Sequence, residues 1–129
     1  MLREPPFDVA GGGGGGGGGL PVIEVLRAAL APLRARIDVA FIYGPAAQAL
    51  SGESRDIDLM IIGKGIEYAD VIPQLIAAAR HISRGIQPSV YSAGEFARKL
   101  ASGNHAVLAV LKQRKIFVIG SADEIPDPR

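Results

Sequence analysis

Two aspartates at the start of an apolar run, Asp56 and Asp58, are the residues in this chain best suited to chemistry. If the run is a β-strand, its side chains alternate between faces, so both carboxylates lie on one face while Ile57 points into the core. Carboxylates about 7 Å apart along a strand suit a hard divalent cation that also binds phosphate oxygens. Because an unpaired carboxylate is costly to bury, a metal ion is the simplest compensation. The pattern predicts Asp56 and Asp58 as metal ligands.

The same residues have a second interpretation, in which they are solvent-facing charges at the start of a strand, next to Arg55. Lys64, just after the apolar run, also has two interpretations. It can meet a phosphate group, or it can be a solvated surface lysine. The residues alone leave both interpretations standing.

The elements that must position this pair follow from β-type and apolar runs. Strands are predicted over residues 38–43, 57–62, 86–91 and 115–119. The second run is almost wholly apolar, which is typical of a strand buried on both faces near the centre of a sheet. Pro88 in the third run indicates an edge strand or a bulge, because proline has no N–H to donate.

Helical spacing of apolar residues predicts helices over residues 20–31, 46–50, 67–82, 93–100 and 105–112. Pro32 is expected to end the first helix. Ser92 and Glu95 have the spacing of a capping box, and Asn104 is placed to cap the last helix. The alternation of helices and strands predicts a compact α/β or α+β domain.

The stretch from Gly44 to Asp58 resembles the signature of the nucleotidyltransferase superfamily. A glycine and a small residue are followed by a ten-residue spacer and then by Asp-x-Asp in an apolar strand. That superfamily includes DNA polymerase beta, the aminoglycoside and kanamycin nucleotidyltransferases and small stand-alone prokaryotic members. Residues 88–120 further resemble the nucleotidyltransferase domains attached to winged-helix transcriptional regulators in some bacteria.

This resemblance implies a nucleotidyltransferase fold, with a small mixed central sheet flanked by helices, over residues 20–129. Residues 1–19 are then an N-terminal arm and a glycine run. The implied activity is Mg²⁺-dependent transfer of a nucleoside monophosphate from a nucleoside triphosphate, with ATP expected, to an acceptor. The resemblance implies that Asp56 and Asp58 are the catalytic residues and hold the Mg²⁺, and that Gly44, Pro45 and Lys64 contact the nucleotide.

The sequence departs from the family pattern near the expected phosphates. Pro45 stands where serine is usual and offers neither a hydroxyl nor an N–H. Gln48 and Ala49 replace a frequent Arg-Gly, and residues 86–91 contain no acid where a third carboxylate is expected. Two-metal phosphoryl transfer needs ligands for both ions. A second hypothesis is therefore a catalytically inactive regulatory domain that binds nucleotide or a partner, linked to a transcriptional regulator or a toxin–antitoxin module.

Composition excludes several classes of protein. The chain has 14 basic and 13 acidic residues, so no charge signal for nucleic acid or a membrane surface stands out. It has no cysteine, which excludes disulfides and thiolate metal sites. With no apolar run of about 20 residues and no signal-peptide pattern, the expected location is the cytoplasm. The expected partners are a nucleotide, a protein such as a DNA-binding module or a toxin, and a second copy in a homodimer.

Overall fold

The computed structural model of the protein describes residues 19–44, 47 and 56–126, with side chains from residue 22 onward. The predictions made for residues 1–18, Pro45, Gln48 and Ala49 lie outside these ranges. So does the predicted helix over 46–50, apart from Ala47, which is helical.

The described helices and strands follow the predicted order. They are α1 (Gly19–Leu30), a 3-10 helix (Ala31–Arg36), β1 (Ile37–Tyr43), β2 (Ile57–Gly63), α2 (Tyr68–Ile82), β3 (Ile86–Ser92), α3 (Ala93–Ala101), α4 (His105–Lys112), β4 (Lys115–Ile119) and a second 3-10 helix (Ala122–Glu124). Each α-helix and strand agrees with its predicted range to within one residue at either end. No helix in the described ranges has the length and apolarity to cross a membrane.

The strands of the described chain form one mixed sheet in the order β3-β2-β1-β4. β2 runs parallel to β3, whereas β1 is antiparallel to both β2 and β4. β2 is therefore an inner strand, and six of its seven residues are buried, as its apolar sequence predicts. The predicted α/β class with a mixed central sheet is confirmed.

The edges of the sheet are marked by particular residues. The backbone N–H of Ile57 donates to the carbonyl of Gly85, 2.9 Å away. In a parallel pair the backbone N–H and C=O groups of alternate residues face the partner strand. The backbone groups of Gly85 and Gln87 therefore face β2, and those of Pro88 face the outer edge of the sheet. The prediction of an edge strand from Pro88 is confirmed, and no ladder bond is lost there. On the other edge, Arg27 Nε donates to the carbonyl of Val118 at 3.0 Å.

Each face of the sheet carries its own core. α1 and α2 cover one face, where Leu26, Leu30, Ile42, Leu59, Val71 and Leu75 are buried. α3 and α4 cover the other face, where Phe41, Met60, Ile62, Phe96, Leu100 and Val107 are buried. Each such side chain contributes about 1.5–3 kcal/mol on burial. β2 is consequently held from both sides, which fixes the backbone that carries Asp58.

Local signals end and start the helices as predicted. α1 stops at Leu30, and Pro32 lies in the 3-10 helix that follows. Ser92 Oγ accepts the N–H of Glu95 at 3.0 Å, and Asn104 Oδ1 accepts the N–H of Val107 at 3.0 Å. These caps satisfy N–H groups that have no partner inside the first turn of a helix.

Candidate functional site

One end of the sheet brings polar side chains from four strands together. β1 ends there at Tyr43, while β2, β3 and β4 begin there. Tyr43 lies opposite Asp58 on one side and opposite Lys115 on the other, and Asp58 lies opposite Gln87. Residues paired in register project from the same face of a sheet. Lys115, Tyr43, Asp58 and Gln87 therefore form a row across the sheet, which we call the cross-strand row.

Asp58 is a partly buried acid with an acidic neighbour. Burial, and then the charge of Asp56, raise the pKa of the Asp58 carboxyl above its usual range. The ion pairs Arg27–Glu24 and Arg36–Asp70 lie elsewhere and include neither Asp56 nor Asp58. The residues present fit a hard divalent cation, which takes carboxylate oxygens and offsets their repulsion.

Asp56 is exposed and lies just before β2. Its Oδ2 accepts a hydrogen bond from Gln87 Nε2 at 3.1 Å. A Cβ built on Gly85 would stand 2.7 Å from Asp56 Oδ1, so this oxygen occupies space that only a glycine leaves free. The Asp56 carboxylate therefore leans toward β3.

Asp58 leans the other way, toward β1. A Cβ on Gly44 would stand 3.1 Å from Asp58 Oδ2 and 3.3 Å from Gln113 Oε1. Gly44 also has φ +77°, a conformation that favours glycine. Strand alternation predicts that Asp56 and Asp58 point the same way. Asp56 bonds to the side chain of Gln87, the register partner of Asp58, so the two carboxylates have neighbours on the same face but approach different strands, Asp56 the β3 side and Asp58 the β1 side.

Tyr43 was not identified from the sequence as a site residue. Burial raises the pKa of the Tyr43 hydroxyl, a hydrogen bond with Ser89 acts in the opposite direction, and the charge of Asp58 raises the pKa further. The phenol therefore keeps its proton at neutral pH and can donate a hydrogen bond beside Asp58. Its place directly before Gly44 at the end of a strand is the signal that could have indicated it.

Lys115 is the basic residue of the cross-strand row. Its Nζ donates to the carbonyls of Leu111 at 2.7 Å and Gln113 at 3.1 Å. Burial lowers the pKa of the Lys115 ammonium. Lys115 thus holds the C-terminal end of α4 against the start of β4. On the sequence, a lysine at a strand start cannot be told from a solvated one.

Lys64 is not brought to the carboxylates. It follows the far end of β2, where its N–H donates to the carbonyl of Arg36 at 2.9 Å. Six residues of extended strand separate it from Asp58, a span of about 20 Å.

No third acid joins the pair in the described chain. The described residues include no group of three or more histidine, aspartate or glutamate side chains that could hold a metal. Amides stand beside the two carboxylates instead, Gln87 on β3 and Gln113 before β4. The arrangement offers two carboxylates for one cation.

Comparison with known proteins bears on the fold. No protein-family model matches the sequence, and no curated protein matches it. A solved structure described as a toxin–antitoxin with AMP-PNP is similar over 79% of this chain and 76% of that one, with a TM-score of 0.51 and 7% identity. A structure from Sulfolobus solfataricus, provisionally named a nucleotidyltransferase, is similar over 66% of this chain and 83% of that one, with a TM-score of 0.38 and 21% identity.

Neither likeness concerns a winged-helix regulator. At these identities, similarity to a solved structure reports on the fold alone. Four strands in one mixed sheet, with two helices on each face, make up the described part of the chain. The fold of this chain is similar to that of the toxin–antitoxin structure.

Proposed function

We propose that this chain is a nucleotidyltransferase-like domain that binds a nucleoside triphosphate, with ATP expected, through Mg²⁺ held by Asp56 and Asp58. Asp58 carries the proposal. Its carboxylate is partly buried beside a second carboxylate, and its pKa is raised as a result. Repulsion between the two carboxylates disfavours the charged form of both, and a bound cation would offset that repulsion.

The proposed reaction is transfer of the nucleoside monophosphate to an acceptor. The oxygen of an acceptor hydroxyl forms a bond to the α-phosphorus and loses its proton to water, while the bond from the α-phosphorus to the leaving pyrophosphate oxygen breaks. Bound Mg²⁺ would supply neutralisation of the charge on the phosphates. The chain's own part is to position the nucleotide, with Gly44 allowing close approach to Asp58 and the Tyr43 hydroxyl offering a donor nearby.

A structural neighbour gives the nucleotide class some support. The protein with a TM-score of 0.51 to this chain is described as a toxin–antitoxin with AMP-PNP, an ATP analogue. Likeness of fold does not transfer a ligand, so ATP and AMP-PNP are the first compounds to test.

The experiment is calorimetric titration of ATP in the presence and absence of Mg²⁺. We expect binding that requires Mg²⁺ and that the double variant Asp56→Asn with Asp58→Asn loses. Asp123→Asn is the matched control, since Asp123 is exposed in the second 3-10 helix. Binding that survives the double substitution would exclude this site.

A second function is favoured by the amides beside the carboxylates. With Gln87 on the third strand and no third acid among the described residues, the domain would bind nucleotide or a partner and regulate without transfer. The proposed partner is a DNA-binding module or a toxin, with a homodimer and a cytoplasmic location as the remaining expectations. Pyrophosphate release separates the two functions: turnover with a hydroxyl acceptor or a partner protein supports the transferase, and Mg-ATP binding without release supports the regulator.

A further inference from the structure

The two carboxylates of the proposed site are held apart. Asp56 Oδ2 accepts a hydrogen bond from Gln87 Nε2 at 3.1 Å. Asp56 Oδ1 lies so close to Gly85 that a Cβ on this glycine would stand 2.7 Å from it. Asp58 Oδ2 lies beside Gly44, on the opposite side of β2. A cation that takes an oxygen from each aspartate would compete with the Gln87 amide for Asp56.

We infer that Gln87 is a positioning residue that holds Asp56 toward β3, and that binding of a divalent cation by both aspartates displaces the Gln87 amide. The inference rests on the proposed function and deepens it, because it names the contact that regulates ligand entry at that site. In this inference the Gln87 amide competes with the cation for Asp56, and the absence of a side chain at Gly85 leaves the space that the Asp56 carboxylate occupies.

The alternative role for Gln87 is that of a support for the metal ligand. A carboxylate oxygen has two lone pairs, so Asp56 could keep the Gln87 N–H while it binds a cation. Gln87 would then support the ligand, as outer hydrogen bonds do in many metal sites. The two arrangements predict effects of opposite sign when the amide is removed.

Two variants release Asp56 by independent routes. Gln87→Met keeps an unbranched side chain of similar length and removes the donor. Gly85→Ala fills the space beside Oδ1, and Gly85 does not have a positive φ, so alanine fits its backbone. We expect both to tighten binding of Mg²⁺ alone, measured by calorimetry, by about threefold to tenfold, the range given by one exposed hydrogen bond.

Matched controls make the same chemical changes elsewhere. The control for Gln87→Met is Gln74→Met, because Gln74 lies on α2. The control for Gly85→Ala is Gly94→Ala, because Gly94 lies in the first turn of α3 and a Cβ there would be 3.5 Å from its nearest atom, an ordinary contact. Neither should change Mg²⁺ affinity. Thermal unfolding of all four variants checks that each is folded. In ¹⁵N spectra, the Gln87 side-chain amide should shift on addition of Mg²⁺ and also in Asp56→Asn.

The outcomes separate this inference from the proposed function. Weaker Mg²⁺ binding in Gln87→Met, or unchanged Mg²⁺ binding in both release variants, overturns the role of Gln87. The proposed metal site stands in that case if the double aspartate variant loses Mg²⁺ binding. Binding by the release variants but not by the wild type supports the inference. An absence of Mg²⁺ binding in the wild type and in every variant overturns both.

Discussion

Gly44 faces Asp58 so closely that a Cβ on the glycine would stand 3.1 Å from the Asp58 Oδ2 atom. The glycine also has φ +77°, so two separate constraints meet at this position. One is backbone conformation, which affects stability. The other is contact with the proposed metal ligand, which affects binding. Gly103 has almost the same φ, +76°, and no atom within 4 Å of a built Cβ, so it isolates the first constraint.

Gly44→Ala should therefore lower both stability and ligand affinity. A non-glycine residue in the left-handed region costs about 1–2 kcal/mol, and we expect a loss of that size in urea unfolding. Gly103→Ala should lose a similar amount of stability and bind Mg-ATP normally. Equal Mg-ATP affinity in the two variants would show that Gly44 does not border the ligand.

The pH dependence of stability should carry a contribution from Asp58. Its pKa is raised in the folded state by burial and by Asp56, so the folded protein holds this proton more tightly than the unfolded chain does. The contribution is complete below the ordinary aspartate range, and it is lost as the pH rises through the raised pKa. Asp58→Asn should gain stability relative to the wild type over that rise. Urea unfolding of the wild type and of Asp58→Asn across the acidic range measures the difference.

Lys115→Met should loosen the end of α4. The Nζ of Lys115 bonds two carbonyls at the C-terminus of that helix, where a cation is also favoured by the helix dipole. Hydrogen bonds to charged groups contribute about 1.5–3 kcal/mol. Because Lys115 is only partly buried, we expect a loss of about 1–2 kcal/mol in the free energy of unfolding. Lys112→Met removes an exposed charge from the same helix and should cost far less. Faster amide hydrogen exchange at Leu111 to Gln113 would locate the effect.

Ser92→Ala should destabilise α3 through its cap. Ser92 Oγ accepts the N–H of Glu95, and Glu95 Oε1 accepts the N–H of Ser92 at 3.4 Å. Losing a capping side chain costs about 1 kcal/mol. Ser92→Thr keeps the acceptor and should retain most of the stability. A threonine variant as unstable as the alanine variant in thermal unfolding would contradict a capping role.

Much of the fold is readable because its signals are local. Ser92 and Asn104 start helices through contacts with residues three positions away. The apolar run of β2 reports burial on both faces, and Pro88 marks an outer edge. Each of these signals depends on a few neighbouring residues, which a sequence displays directly.

The site was less predictable because it depends on register between strands. The sequence does not show that Tyr43 lies opposite Asp58, or that Gln87 reaches Asp56, since these pairs come from different strands. Lys64 looked close to Asp58 along the chain, but an extended strand carries it to the other end of the sheet. The spacing of residues in the sequence gives their distance along one strand, whereas a functional site also depends on which residues of the adjacent strands lie beside them.

Pro88 has a consequence for encounters between molecules. An exposed strand edge presents N–H and C=O groups to which another extended chain can add. Pro88 faces that outer edge of β3 without an N–H, so an added strand would lose a bond in the middle of the ladder. At the opposite edge, Arg27 already occupies the carbonyl of Val118. Each edge strand of the sheet thus carries a feature that disfavours the addition of a further strand.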